Sequence, residues 1–361
     1  MSNHPTALIL WEFYGTLLKE LVIGVVIFAL VRWRSRRTPT EPSKFPPEPL
    51  LGRQILNWGF GGLWILAGLL QAQPSMSTEF VPHYLVPNLN GQPFWLFNVM
   101  ESGIVIWAQH PIFWDSLAVW LQFGMGIAMI WGPTPRLRRF TLGIATLWSL
   151  WVWVMGEGMG GLFVPGENSW LAGAPGSSLF YGCAALMLLI PPERFGAPRV
   201  RRWIARGFTG LWGFLAAIEI WPPDGYWTGR LLSRATLNMA KMPQPHWISS
   251  SVYATARVLA AHPQFINGLI ALVLVLLALG WGFWPGRVVA WVTAVWILLT
   301  WALCQDFGVL GGLATDPNSG LPALIFVGAF LSLSRADRGG QALRAFGRKG
   351  HFPRFVPDHQ D

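Results

Sequence analysis

The chain has 361 residues, of which 53% are hydrophobic and only 12% charged, with 23 Trp and a mean hydropathy of +0.41. That balance leaves too little polar surface to solvate a folded chain of this length, so a soluble protein is excluded and an integral membrane protein is expected. The formal charge of +9 sits in short basic clusters between apolar segments instead of along one amphipathic face, which argues against nucleic acid as the partner and for membrane topology.

Nine apolar runs have membrane-spanning character, near residues 8 to 31, 55 to 72, 112 to 131, 139 to 155, 175 to 191, 206 to 221, 265 to 283, 288 to 304 and 322 to 334. The first is preceded by no Lys or Arg between Met1 and Leu10 and is followed by Arg32, Arg34, Arg36 and Arg37. It therefore reads as an N-out anchor helix over 1–37, not as a cleaved signal. Lys19 and Glu20 lie within it, placed to pair with the bundle or to reach an interface. Residues 38–52, with Pro39, Pro42, Pro46, Pro47 and Pro49, read as an extended cytoplasmic linker. Further basic clusters at Arg136 to Arg139, Arg194 to Arg206, Arg287 and a tail over 335–361 recur on every second connection. By the positive-inside rule these connections are cytoplasmic, which places the N-terminus outside and the C-terminus inside a bacterial inner membrane. Cys183 and Cys304 sit within apolar runs and read as packing residues, not as a disulfide or a thiolate metal site.

The chain between the linker and the tail repeats itself. Gly59-Phe60-Gly61-Gly62-Leu63-Trp64 matches Gly207-Phe208-Thr209-Gly210-Leu211-Trp212 at an offset of 148, as does Pro74 with Pro222. Pro93, Trp95, Ala108, His110 and Pro111 match Pro245, Trp247, Ala260, His262 and Pro263 at an offset of 152. The expected fold is an all-α polytopic membrane protein of about nine transmembrane helices, a tandem parallel repeat of a four-helix unit plus the N-terminal helix. The units are 53–196 and 197–334. Each contains a first helix, a long outer connection with an aromatic interfacial helix near 94 to 109 or 246 to 261, a His-Pro pair, a second helix, a tight inner turn, a third helix and a glycine-rich outer loop before the fourth.

The glycine-rich loops, Gly156-Glu157-Gly158-Met159-Gly160-Gly161 and Gln305-Asp306-Phe307-Gly308-Val309-Leu310-Gly311-Gly312, set Glu157 on Gln305 and Gly158 on Asp306. Gln71 corresponds to Glu219, and Asp115 to Asn267. These polar groups occupy similar depth near the outer ends of helices. They read either as solvated ends of tight reversals or as a shared outer polar pocket, since ionisable groups near lipid are costly unless gathered. His110 and His262, each before Pro, suit helix N-cap positions; the other reading brings the imidazoles together to bind a metal with Glu157 or to hydrogen-bond a headgroup. No metal-ligand spacing such as His-x-x-x-His supports a metal. Asp316-Pro317 reads as a cap and turn at the start of the last helix.

A four-helix unit with this loop plan resembles the DoxX-like membrane proteins, here in tandem, and the paired loops at 156 to 161 and 305 to 320 look like those of bacterial integral membrane proteins with the same duplication. Some DoxX-like proteins are associated with quinone-linked membrane redox systems. The resemblance thus implies a quinone as cofactor; the outer pocket that would take it, read from the residues themselves, comprises His110, Glu157, His262, Gln305, Asp306, Glu219, Gln71 and Asp115. The resemblance also implies a redox-accessory subunit whose partners are the bilayer and other membrane-complex subunits. A small-solute or ion transporter using the interface between repeats is the alternative, and a purely structural subunit the third reading. The sequence carries no P-loop, nucleophile elbow or metalloprotease motif and leaves catalysis undecided.

Overall fold

A computed structural model describes residues 7–35, 50–132, 134–196, 198–228, 230–310 and 315–333. The linker from 38 to 49, Gly311 and Gly312 of the second glycine loop, and the basic tail lie outside the described residues, and among those described there are helices and no strand. In chain order the helices are α1 (Ala7–Ser35), α2 (Leu51–Gln71), α3 (Met76–Phe80), α4 (Phe94–Gln109), α5 (Pro111–Trp131), α6 (Pro135–Trp151), α7 (Ser177–Leu188), α8 (Pro192–Phe195), α9 (Pro198–Ile220), α10 (Arg230–Ala240), α11 (His246–Ala261), α12 (Pro263–Phe283) and α13 (Arg287–Leu303). The last, α14, covers Gly320–Leu333.

Each of the nine apolar runs falls on one of these helices. By length and composition alone, α5 and α12 can cross a membrane, and α2 with the segment Met76–Leu89 beyond it forms a third candidate bent by 87°. Twenty-one residues of helix extend about 32 Å, enough for a hydrocarbon core. α7, α13 and α14 are apolar but shorter. The apolar character is also on the outside: Leu269, Leu272, Leu276 and Leu279 of α12, and Val288, Trp291, Val295 and Leu298 of α13, are exposed at helical spacing. Contiguous exposed apolar faces of this kind need a non-aqueous cover.

Two helix pairs build the frame, α2 on α5 and α9 on α12, with α6 beside α7 and α10 beside α11. The α2–α5 approach is close because both surfaces carry glycine; a Cβ on Gly126 would press into the carbonyl oxygen of Gly61, so the backbones pack directly. One core cluster runs from Leu56 to Leu333 and joins both halves of the chain. Within it Phe60 meets Phe326 at 5.4 Å, Trp281 meets Phe330 at 4.7 Å and Trp170 meets Trp212 at 4.9 Å, which sets α14 against helices of both halves. α1 adds Phe13 and Leu17 against Val119 of α5.

Corresponding segments share local geometry. α4 and α11 have 16 residues each, α5 and α12 have 21, and α6 and α13 have 17. His110 and His262 precede their helices with φ −142°, ψ 65° and φ −131°, ψ 56°. Trp153 donates its indole N–H to the Pro175 carbonyl at 2.7 Å, and Trp301 donates to the Pro317 carbonyl at 2.8 Å. At the opposite ends, Arg53 donates to the Leu188 carbonyl at 3.0 Å and Arg201 to the Pro285 carbonyl at 2.9 Å. The connections after α2 and α9 differ: the first forms α3, a π-helical turn at Val81–Leu85 and a 3-10 turn, and the second forms two 3-10 turns and α10.

Candidate functional site

Two cavities meet between the ends of α6, α7 and the segment leading into α14. The inner one, about 160 Å³, has mainly aromatic walls, with Trp64, Phe80, Trp107, Trp148, Trp151 and Tyr181 among them. The outer one, about 400 Å³, is a polar vestibule that includes Glu167, Asn238, Gln244, Asp306 and Asn318. Tyr84, Asn88, Glu157, Ser177, Thr315 and Asp316 line both.

Glu157 reaches this neck because α6 ends in a π-helical turn, Val152–Gly156, that delivers it to the start of α7. There its carboxylate accepts hydrogen bonds from the Ser177 hydroxyl at 2.8 Å, the Ser178 hydroxyl at 2.9 Å and the Ser178 amide at 3.1 Å. A helix N-terminus presents free N–H groups and a favourable dipole to an anion. Gly176, at φ 93°, leaves the room: a Cβ there would run into Glu157 Oε2. Asp316 comes from the other half of the chain. Its carboxylate accepts the Asn318 amide at 2.7 Å, and Ser177 stands within hydrogen-bonding reach of it as well. Both acids keep some contact with the vestibule, yet the surrounding protein desolvates them and raises both above the usual carboxylate range, with the Asp316 charge raising Glu157 further.

Asp306 adopts φ 47° and folds its carboxylate back onto the Gly308 amide at 2.9 Å. Burial pushes it up to about 6. Burial also raises the Tyr84 phenol, with the charges of Asp316 and Asp306 adding to the effect. In the inner chamber the Tyr84 and Tyr181 hydroxyls, the Trp148 indole nitrogen and the Gln122 amide oxygen have no hydrogen-bond partner among the described residues, although Tyr181 is only 3% exposed.

The eight residues expected to share one pocket are distributed differently. Glu157 and Asp306 line the vestibule, and Gln71 lines the inner chamber. Gln71 donates to Asp115 Oδ1 at 3.0 Å, as does Trp107 at 3.1 Å, so Asp115 stands one layer behind the chamber wall. Gln305 is buried and donates to the Trp170 carbonyl at 2.7 Å, while Glu219 is buried on α9 beside Ser169, and Asn267 donates to the Glu219 backbone carbonyl at 3.1 Å. Neither lines the chamber or the vestibule. His110 and His262 are exposed, line neither cavity and make no side-chain cap bond; their recurrence follows the backbone turn before Pro, not a shared imidazole site. Asp316, which reads first as a cap and turn, lines both cavities. Ser177, Ser178, Tyr84 and Tyr181 were not singled out; two adjacent serines opening an apolar helix are the sequence signal that marks the first two.

In comparisons with known proteins, no family model, no curated protein and no solved structure matches this chain.

Proposed function

We propose that the chain is a multi-pass inner-membrane protein built by tandem duplication, with the N-terminus outside and the C-terminus cytoplasmic, and that it binds a quinone headgroup from the exoplasmic side as an accessory subunit of a membrane redox complex. The observation that carries the ligand assignment is the aromatic chamber with unpartnered donors. Tyr84, Tyr181 and Trp148 place O–H and N–H groups that have no partner among the described residues around a space of about 160 Å³, and a cavity near this size accepts a single ring. Buried donors left unpaired are costly, and a planar ring with carbonyl acceptors satisfies them while its faces lie on aromatic walls. A cationic ligand would leave the Trp148 N–H unpaired, because that group can only donate. The resemblance to DoxX-like proteins, some of them quinone-linked, supports the same ligand. The corresponding helix lengths, paired Trp–Pro and Arg–carbonyl hydrogen bonds support the duplication, and the exposed leucine and valine faces support lipid as the surrounding medium. Transport is the weaker reading, since neither cavity is lined by a described residue of the connections near 132 to 135 or 284 to 287.

Mass spectrometry of lipids retained after mild extraction tests the ligand, together with quenching of tryptophan fluorescence by a short-chain quinone. Saturable binding is expected, weakened about two- to tenfold in Tyr181→Phe and in Trp148→Phe, as loss of one hydrogen bond each implies. Absence of both retained quinone and saturable quenching refutes the assignment.

A further inference from the structure

Glu157 and Asp316 form a pair drawn from the two halves of the chain, placed where the chamber opens into the vestibule. Among the described residues, no Lys or Arg lines either cavity, so none of them gives the pair a fixed countercharge. The Ser177 hydroxyl donates to Glu157 at 2.8 Å and also interacts with the Asp316 carboxyl. One hydroxyl has one proton and cannot satisfy both acceptors. The arrangement closes if one carboxyl is protonated and donates while the other accepts, as adjacent acids do when like charges cannot both be held. Tyr181, buried and with its hydroxyl unpartnered, lines the chamber on the inner side of the pair. The vestibule continues outward past Asp306 and Glu167.

We propose that Glu157, Ser177 and Asp316 form a proton-exchange port that holds one proton between the two carboxyls and passes it between the ligand chamber and the exoplasmic vestibule. The assignment of the chamber to a quinone headgroup is the reading on which the ligand arm of this proposal rests. The other titratable groups facing the pair are Tyr84 from the π-helical turn, Tyr181 from α7 and Asp306 from the loop after α13. Farther out are Glu167, with Arg234 beside it, and His83, paired with Glu79 at 2.5 Å. Tyr84 and Tyr181 are phenols and stay protonated near neutral pH, which leaves the carboxyls to carry the exchange. A ring with carbonyl acceptors is held more tightly while the pair keeps its proton, because deprotonation adds a negative charge at the chamber mouth.

Infrared spectroscopy of the full, detergent-solubilised chain without ligand, in light and heavy water, tests the pair directly. A protonated-carboxyl stretch is expected near neutral pH, with one component lost in Glu157→Gln and the same component lost in Asp316→Asn, since the proton is shared. Ser177→Ala should shift that component without abolishing it and serves where a carboxyl variant does not fold. A wild-type spectrum with no protonated carboxyl, or carboxyl variants that leave the band unchanged or remove different components, overturns the port. In the second arm, affinity for a short-chain quinone should fall as pH rises, by at most about tenfold per pH unit for one linked proton, and become flat in either carboxyl variant. Binding that is pH-independent in the wild type also overturns the port. If no quinone binds at any pH, the ligand assignment alone fails, and the infrared arm still decides whether the proton is shared.

Discussion

Replacing Gly176 by alanine separates the geometry of the carboxylate cradle from ordinary backbone strain. Gly176 lies at φ 93°, ψ 145° immediately before α7, a region open to glycine and costing other residues about 1–3 kcal/mol. The added Cβ would also occupy the space of Glu157 Oε2 and approach the Gly160 Cα to 3.0 Å, so the carboxylate must leave its serine donors. Each such bond contributes about 1–3 kcal/mol, and losing one or two together with the strain gives an expected destabilisation of about 3–6 kcal/mol. Gly173 provides the comparison: it has φ 98°, but nothing lies within 4 Å of a Cβ placed there. Gly173→Ala should therefore cost only the left-handed backbone, about 1–2 kcal/mol. Reversible unfolding in detergent, followed by tryptophan fluorescence, measures both. Equal losses in the two variants, or a Gly176→Ala protein with unchanged stability, would show that the Glu157 carboxylate does not occupy this position.

Other expected outcomes are independent of that cradle. Gln71→Glu alone sets two carboxyl groups in contact behind the chamber, whereas Gln71→Glu with Asp115→Asn reproduces the acid and amide order of Glu219 and Asn267; the double variant should recover at least about 1 kcal/mol relative to additivity in an unfolding cycle, and strict additivity counts against a direct contact. Asp306, raised from 3.8 to about 6 in the folded state, binds more proton there than when unfolded, so its contribution to stability falls as pH rises from about 4 through about 6 and is constant above. Asp306→Asn, which keeps an acceptor for the Gly308 amide, should raise stability at neutral pH by on the order of 1–2 kcal/mol and flatten that part of the pH profile; an unchanged profile refutes the desolvation argument. In a background with Cys183 and Cys304 replaced, Phe163→Cys, at a position 45% exposed, should react with an impermeant thiol reagent on intact cells, while Thr134→Cys should react only after lysis. External labelling at Thr134 reverses the orientation.

Helix positions were legible because long runs of Leu, Val, Ala and Trp end at Pro or Gly, signals that act within a few residues. The aromatic segments α4 and α11 have the bounds expected from Pro93 and Pro245 at one end and the His-Pro pairs at the other. The site was less legible because its two acids are 159 residues apart and meet only when α14 packs between both halves. Asp316-Pro317 has a sufficient local explanation as a turn, and its Asn318 amide bond fits that explanation, so nothing local announces Glu157 as its neighbour. The histidines show the converse. Their His-Pro recurrence is the more visible pattern, yet what it repeats is a backbone conformation, and both side chains remain exposed.

Within the proposed duplication, the acid and amide exchanges account for an unequal divergence of the two halves. Along α2 and α5 the order is Gln71 and Asp115, along α9 and α12 it is Glu219 and Asn267, and at the ends of α6 and α13 it is Glu157 and Gln305. An amide has nearly the size of the acid and keeps an acceptor oxygen while removing the charge, so one member of each pair becomes neutral without loss of packing. At the last pair the consequence is specific. Gln305 turns its amide to the Trp170 carbonyl as a structural bond, whereas Glu157 keeps a carboxylate at the mouth of the chamber with aromatic walls. Two carboxylates at both pseudo-equivalent positions would double the buried charge at the interface between the halves; one carboxylate, matched by Asp316 and Ser177, concentrates the ionisable chemistry on a single side.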